Sequence, residues 1–358
     1  MLIRQITIEN LRNLSSVAIE PHERLNYLFG DNGAGKTSVL EAITTLSRGR
    51  SFRTPQASEL TGPDEPVFRV FAEIEDDQGQ RHRAGLERSA RHWRGRLDGA
   101  DLRQLSQLTR ILPTVLMEPD SHLLVSGAPE VRRRYLDWGM FHVEHGFLET
   151  WRAYARALKQ RNSALRHQHF DLLDSLDEVL ATHGNRLHEL RLSYAEQVSS
   201  RLEGALDELK SQVQAVSLRY QPGWKGDSLL GALFERRHRD LERGQTGTGP
   251  HRADLAISCR SAPARTVLSR GEQKAVAAAL LMVQADLLKS AGKRAVLLLD
   301  DLVSEFDRTH FEIVLTKAMN FGAQVWITGT ERPSFDDPCK VFHVEQGVVS
   351  RENAVADG

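Results

Sequence analysis

Gly30-Asp31-Asn32-Gly33-Ala34-Gly35-Lys36-Thr37-Ser38 is the stretch on which the fold of this chain turns. The residues before it, Arg24-Leu25-Asn26-Tyr27-Leu28-Phe29, form a short apolar run that reads as a strand. After it, Val39, Leu40, Ile43 and Leu46 recur at helical spacing. The order is therefore strand, glycine-rich loop, helix, and Gly30-x-x-x-x-Gly35-Lys36-Thr37 fits the P-loop pattern. Each part has a physical reason. Glycines let the backbone of Gly30, Asp31, Asn32, Gly33, Ala34 and Gly35 curl so that its N–H groups point at phosphate oxygens. The helix opening at Lys36 adds the positive end of its dipole, and Ser38 lies in its first turn. Lys36 supplies a point charge for the β- and γ-phosphates, and the Thr37 hydroxyl suits Mg²⁺. A plain glycine turn before a helix would need neither the lysine nor the threonine.

Further along, Leu297-Leu298-Leu299-Asp300-Asp301 is a buried strand that ends in two carboxylates. A carboxylate there is costly unless it serves a cation, so Asp300 is assigned to Mg²⁺, through water. Asp301 is assigned to orient or deprotonate the attacking water. Two turn-forming aspartates at a strand end would be the bland account, and the P-loop weighs against it.

A third motif, Leu268-Ser269-Arg270-Gly271-Glu272-Gln273, stands just before an alanine- and leucine-rich helix predicted from Arg270 to Lys289. It resembles the signature of ABC-type ATPases, with arginine where many have a second glycine. A helix N-terminus that starts with a serine hydroxyl is a ready anion site. The resemblance implies that Ser269, Arg270 and Gly271 reach the γ-phosphate held by a second subunit, two heads closing on two ATP molecules in an isologous dimer. Ser304-Glu305-Phe306-Asp307 resembles that family's D-loop.

Working outward, the 358 residues suffice for one large domain or two ordinary ones. The formal net charge is −1, so overall basicity makes no case for nucleic acid and only local patches can. Cys259 and Cys339 lie in no CxxC pattern, which speaks against a disulfide framework or a cysteine zinc site. Neither a signal-peptide core nor a membrane-length apolar run is present, and a reduced, cytoplasmic protein is expected. Ile6 and Ile8 alternate with polar neighbours as in a strand. Residues 67–98 read as antiparallel strands with turns at Asp77-Gln78-Gly79 and Asp98-Gly99. From Glu130 to about Leu209 proline is absent and apolar residues recur at three- and four-residue steps, which predicts helices. Leu255-Ala256-Ile257 and residues 323–328 read as strands, and the tail after Ser350 as loose. The expected fold class is α/β: an ABC-type P-loop ATPase head, residues 1–125 and 218–358, with a helical arm or lobe, 126–217, inserted between the P-loop and the signature.

Several further motifs narrow the family. They are Leu11-Arg12-Asn13-Leu14, Arg48-Gly49-Arg50-Ser51-Phe52-Arg53, Pro119-Asp120, Gly127-Ala128-Pro129, Arg132-Arg133-Arg134-Tyr135-Leu136-Asp137 and Thr248-Gly249-Pro250-His251-Arg252-Ala253-Asp254. Over nearly the whole chain this series resembles the RecF family of bacterial recombination mediators. The resemblance implies a slow ATPase that dimerises with ATP and binds DNA, single- and double-stranded, at the edges of gaps. It also implies action with RecR and, indirectly, RecO in loading RecA. Lys36, Thr37, Ser38, Asp300 and Asp301 carry over as the core site, with Arg12 placed at the nucleotide. Departures are Glu272 after the signature glycine, and Thr328 or Thr330 where transporters have a switch histidine. Glu118 and Asp120 lie where a Q-loop residue would stand. Candidate DNA surfaces are the six arginines from Arg81 to Arg96, Arg132-Arg133-Arg134, and the face Arg152, Arg156, Lys159 and Arg161. No groove-reading motif is evident, so contacts would be mainly to phosphate. Rival readings are the ATP-binding subunit of a membrane transporter, a small-molecule phosphotransferase and a long coiled-coil tether. For the last, an arm of about 80 residues is short, reaching only about 60 Å as a hairpin.

Overall fold

The computed structural model describes residues 1–63, 65–302, 308–333 and 338–352. In chain order the first elements are β1 (Leu2–Leu11), β2 (Leu14–Ile19), β3 (Leu25–Phe29), α1 (Lys36–Arg48), β4 (Val67–Glu75), β5 (Arg81–Ser89), β6 (Trp93–Leu97), β7 (Ala100–Asp101), α2 (Ser106–Ile111) and β8 (Thr114–Met117). Next come α3 (Leu123–Ser126), α4 (Pro129–Val143), α5 (Phe147–His167), α6 (Leu173–Glu208), β9 (Val216–Gln221), α7 (Leu229–Arg243), β10 (Asp254–Cys259), β11 (Ala262–Pro263), α8 (Ala264–Val267) and α9 (Arg270–Ser290). The chain continues with β12 (Val296–Leu299), α10 (Arg308–Asn320), β13 (Val325–Gly329), β14 (Cys339–Glu345) and β15 (Val348–Glu352). Two compact units result, one of Met1–Asp120 with Gln284–Gly358 and one of Ser121–Val283.

The first unit has two sheets. Strands β15-β14-β3-β13-β12-β8 form one, parallel throughout except for the edge strand β15, and β2-β1-β4-β5-β6-β7 form an antiparallel second. Parallel strands buried on both faces read as continuous apolar runs, as Val296–Leu299 does, whereas the half-solvated β4 alternates. Helix α1 belongs to one core with both sheets. Its Val39, Ile43 and Leu46 cluster with Ile6, Ile8 and Phe68 of the antiparallel sheet and with Leu28, Leu298 and Trp326 of the parallel one. The helix is buried nearly all round, and two of its hydroxyls find partners inside: Thr44 donates to the Leu40 carbonyl, and the Ser47 and Thr114 hydroxyls meet at 2.8 Å. The first and last quarters of the chain are tied side by side by Gln324. Its Oε1 accepts from Ile3 N at 3.0 Å, and its Nε2 donates to Ile3 O at 2.9 Å.

The second unit holds the predicted helices α4, α5 and α6 together with residues 218–283. Its sheet is β11-β10-β9, antiparallel, and β9 was not foreseen. Polar ties set the helix positions. Arg132 of α4 forks onto both Asp254 oxygens at 2.7 and 3.1 Å, and Arg191 of α6 grips Asp137 of α4 at 2.9 and 3.0 Å. Gly184 gives α7 room on α6, since a Cβ there would lie 2.4 Å from Leu229. At the other end of the chain, Arg351 and Glu352, expected in a loose tail, instead pair with Phe342 and Val341 in β15. Among the described residues no helix is long and apolar enough to cross a membrane.

Candidate functional site

Strand β3 delivers the glycine loop at its C-terminal end, beside β13, which in turn neighbours β12. Loops leaving adjacent parallel strands at one end meet there, which is where open α/β sheets bind ligands. Gly30 makes the first bend at φ 148°. A Cβ on it would sit 2.1 Å from the Val344 carbonyl oxygen, so only glycine fits. The loop then curls back over Lys36, whose Nζ donates to Gly30 O at 2.7 Å and Asp31 O at 2.8 Å. Burial pushes the Lys36 ammonium towards neutrality, and the fields of Asp301, Asp300 and Asp31 oppose this.

Asp300 follows the end of β12, its amide donating to Met117 O of β8 at 2.8 Å. Its Oδ1 accepts two hydroxyls, from Thr37 at 2.9 Å and from Thr328 at 2.8 Å. Burial pushes its carboxyl up and the two hydroxyls pull it down. Asp301 is in the left-handed region at φ 51°, and its amide donates to Thr328 Oγ1 at 2.8 Å. One buried threonine thus couples both aspartates, while Thr330 is exposed. Glu118, just beyond β8, is raised to about 7 by burial and by Asp120 and Asp300, against Arg48 and Arg53.

Two braces of the loop escaped the sequence reading. Asn13 Nδ2 donates to Gly33 O at 3.1 Å and Ala34 O at 3.0 Å, and its Oδ1 accepts from Ser38 Oγ at 3.2 Å. From the β14–β15 turn, Gly347 N donates to Ala34 O at 2.8 Å. Gly347 has φ 82°, and a Cβ there would lie 2.0 Å from Asn13 O. Arg12, assigned to the nucleotide from the sequence, is tied within the chain. It forks onto Glu41 at 2.9 and 3.0 Å and donates to Glu59 O at 2.6 Å, while Ser51 also bonds Glu41. The fully buried Glu41 carboxylate is satisfied by these donors, and its hydrogen bond holds the Arg12 guanidinium above its ordinary pKa.

At the signature, Ser269 and Glu272 form a capping box on α9. The Glu272 amide donates to Ser269 Oγ at 3.3 Å, and Ser269 N donates to Glu272 Oε2 at 2.8 Å. A hydrogen bond from the Ser269 side chain, and then the one from its amide, keep the Glu272 carboxyl below its ordinary range. Glu272, the departure noted in the sequence, is thus a cap. Gly271 has open space where a Cβ would stand, and Arg270 is exposed. The expected D-loop, Ser304-Glu305-Phe306-Asp307, lies outside the described residues.

Most basic clusters are already occupied. On the antiparallel sheet Arg83 pairs with Glu73 at 3.1 Å, and Arg94 and Arg96 share Asp101 at 3.4 and 2.9 Å. Arg88 donates to Gly49 O. Arg132 holds Asp254, Arg133 donates to Ala253 O at 2.7 Å and Arg134 pairs with Glu130. Arg161, expected on an exposed face, is fully buried between Asp177 and Asp240, because it lies on the side of α5 where Ala157, Ala164 and Leu165 pack.

A phosphate-sized loop on a buried lysine, a Thr–Asp pair at the ends of neighbouring parallel strands and a capped signature helix define a P-loop ATPase head of the ABC and SMC class. The family described as RecF/RecN/SMC N terminal domain matches residues 2–350. The chain belongs to the RecF family. The DNA replication and repair protein RecF of Xanthomonas axonopodis pv. citri (strain 306) is 43% identical over 367 residues, 99% of this chain and 100% of that protein. RecF of Pseudomonas syringae pv. syringae (strain B728a) is 36% identical over 98% of each. A solved structure of the recombination mediator protein RecF-ATP matches with TM-score 0.89 and 27% identity over 98% of each chain. An Smc head bound to a domain of ScpA, at 14% identity and TM-score 0.61 over 99% of this chain and 98% of that one, shares the fold. The transporter reading gains nothing from these relatives.

Proposed function

We propose that this chain is an ATP-dependent, DNA-binding recombination mediator. It dimerises on ATP and binds DNA at the junctions of single-stranded gaps. With RecR and RecO it promotes the loading of RecA, in the cytoplasm, and slow ATP hydrolysis times its release. The observation that carries the reading is the convergence of Lys36, Thr37, Asp300 and Thr328 at the ends of three neighbouring strands, the arrangement a triphosphate requires.

Lys36 exchanges its loop carbonyls for phosphate oxygens when nucleotide enters, and the amides from Asp31 to Ser38 take the remaining phosphate charge. A magnesium ion suits the donor set, because Thr37 Oγ1 and Asp300 Oδ1 are hard oxygens already 2.9 Å apart. Thr37 would hold it directly and Asp300 through water; when bound, it neutralises charge on the β- and γ-phosphates. Asp301, its backbone fixed by Thr328, orients and deprotonates the attacking water. Ser269, Arg270 and Gly271 are offered to the γ-phosphate of a second copy. The Ser269 hydroxyl, held in the cap by Glu272, would turn its proton from that carboxylate to the phosphate.

Sedimentation with ATP, with ADP and without nucleotide, each with and without gapped DNA, tests the reading. Lys36→Ala should weaken ATP binding by the monomer. Ser269→Ala should leave that binding nearly intact and block ATP-driven dimerisation. Loss of monomer ATP binding in Ser269→Ala, with dimers forming regardless of nucleotide, would sink the composite site.

A further inference from the structure

Of the three basic clusters in the sequence, the one on α5 carries three exposed cations, Arg156, Lys159 and Arg166, with no acidic partner among the described residues. From Thr150 to Phe170 the chain has no Asp or Glu but carries Arg152, Arg156, Lys159, Arg161 and Arg166. Arg161 turns inward to Asp177 and Asp240. The other four fall, with Ser163, at steps of four, three, four and three residues, which places them in one row along the helix. The row reaches the end of α7, where the Arg166 stem lies over Gly244, next to the exposed Arg243.

We infer that this face of α5 is the surface on which the chain seats the phosphate backbone of duplex DNA. The inference rests on the proposal that the chain binds DNA, and it gives that binding a place. Charge complementarity carries it. Uncompensated cations on one rigid helix repel one another and are held there only by the buried side of α5, so a polyanion relieves the repulsion. The row from Arg152 to Arg166 spans roughly 21 Å of helix, the axial rise of about six phosphates on one strand. Exposed aromatics stand only at its two ends, Trp151 and Phe170, and none lies between, so the row offers no continuous platform for stacked bases, which favours duplex over single strand. With cations and a serine hydroxyl alone, the contact is to phosphate and carries no sequence preference.

The test uses the full chain with ATP and a fluorescent duplex of arbitrary sequence, its affinity followed by anisotropy from low to high salt. The triple variant Arg156→Ala, Lys159→Ala, Arg166→Ala should bind on the order of a hundredfold more weakly near 0.1 M salt, and its log affinity against log salt should be shallower by about 3. Arg156→Lys with Arg166→Lys should restore both, since a phosphate contact of this kind asks only for positive charge. Lys159→Gln alone, for use should the triple variant fail to fold, should flatten the slope by about 1. A triple variant with unchanged affinity and slope, beside a salt-sensitive wild type, overturns the inference; the face would then serve another acidic partner, such as a protein. A wild type that binds duplex and gapped DNA without salt dependence overturns the broader reading first.

Discussion

Asp300 Oδ1 collects two hydroxyl donors, and one of them, Thr328, also accepts the Asp301 amide. Replacing that hydroxyl by a methyl leaves a buried amide and a carboxylate short of a partner. Thr328→Val should cost about 1–3 kcal/mol in urea denaturation. It should also slow ATP hydrolysis more than it weakens ATP binding, because Lys36 and the loop amides are untouched. Asn13 acts differently, through the shape of the loop. Asn13→Ala should raise the Kd for ATP about tenfold by releasing two loop carbonyls, a loss of roughly 1.4 kcal/mol, measurable by titration calorimetry. Lys36, Thr37 and Asp300 were legible in sequence because their chemistry dictates local spacing. Asn13 and Gly347 were not, since their bonds to Ala34 span loops that no local pattern links.

Elements in the second unit are fastened by buried charge. Arg161 of α5 reaches Asp177 of α6 and Asp240 of α7, together with the Thr246 hydroxyl at 2.9 Å. Asp240→Ala should destabilise by about 3–5 kcal/mol, since the arginine keeps its charge and loses half its compensation; thermal or urea unfolding reads this directly. Nearby, His251 stands between the Tyr154 hydroxyl at 2.7 Å and Thr246 O at 3.0 Å, and burial pushes its imidazole down to about 4. The unfolded chain therefore takes up a proton near pH 6.5 that the folded chain refuses until about pH 4. Stability from this group is complete above pH 6.5 and is lost as pH falls towards 4, by on the order of 3 kcal/mol. His251→Gln should flatten that part of a stability profile measured between pH 4 and 7. Helices α4, α5 and α6 were readable from apolar spacing. The placement of Arg161 was not, because a cation on an apolar face looks like an exposed one until its acids, 16 and 79 residues away, fold onto it.

At the scale of the whole molecule, the near-zero net charge conceals strong local sorting. Acids neutralise Arg83, Arg94 and Arg96 of the antiparallel sheet, while Arg156, Lys159 and Arg166 of α5 have no acidic partner among the described residues. A carboxylate also sits at the signature: Glu272 occupies the helix end proposed to meet a partner's γ-phosphate. Glu272→Gln preserves the reciprocal cap and removes the charge. ATP-driven dimers should then form several-fold more tightly in sedimentation, most clearly at low salt, with monomer ATP affinity unchanged. The architecture of the head was legible from three motifs, whereas β9 and the β14–β15 pair, broken by residues such as Arg219, Lys340 and Arg351, lack the continuous apolar run that marks β12 and β13. That last pair has a consequence in time. The turn at Gly347 locks the loop at Ala34 and the Val344 carbonyl shapes the bend at Gly30. A growing chain on the ribosome carries its lysine and glycines long before it owns the hairpin that sets them. Nucleotide capture therefore waits until β14 and β15 have been made, and a nascent chain stalled after β13 should be retained poorly on immobilised ATP.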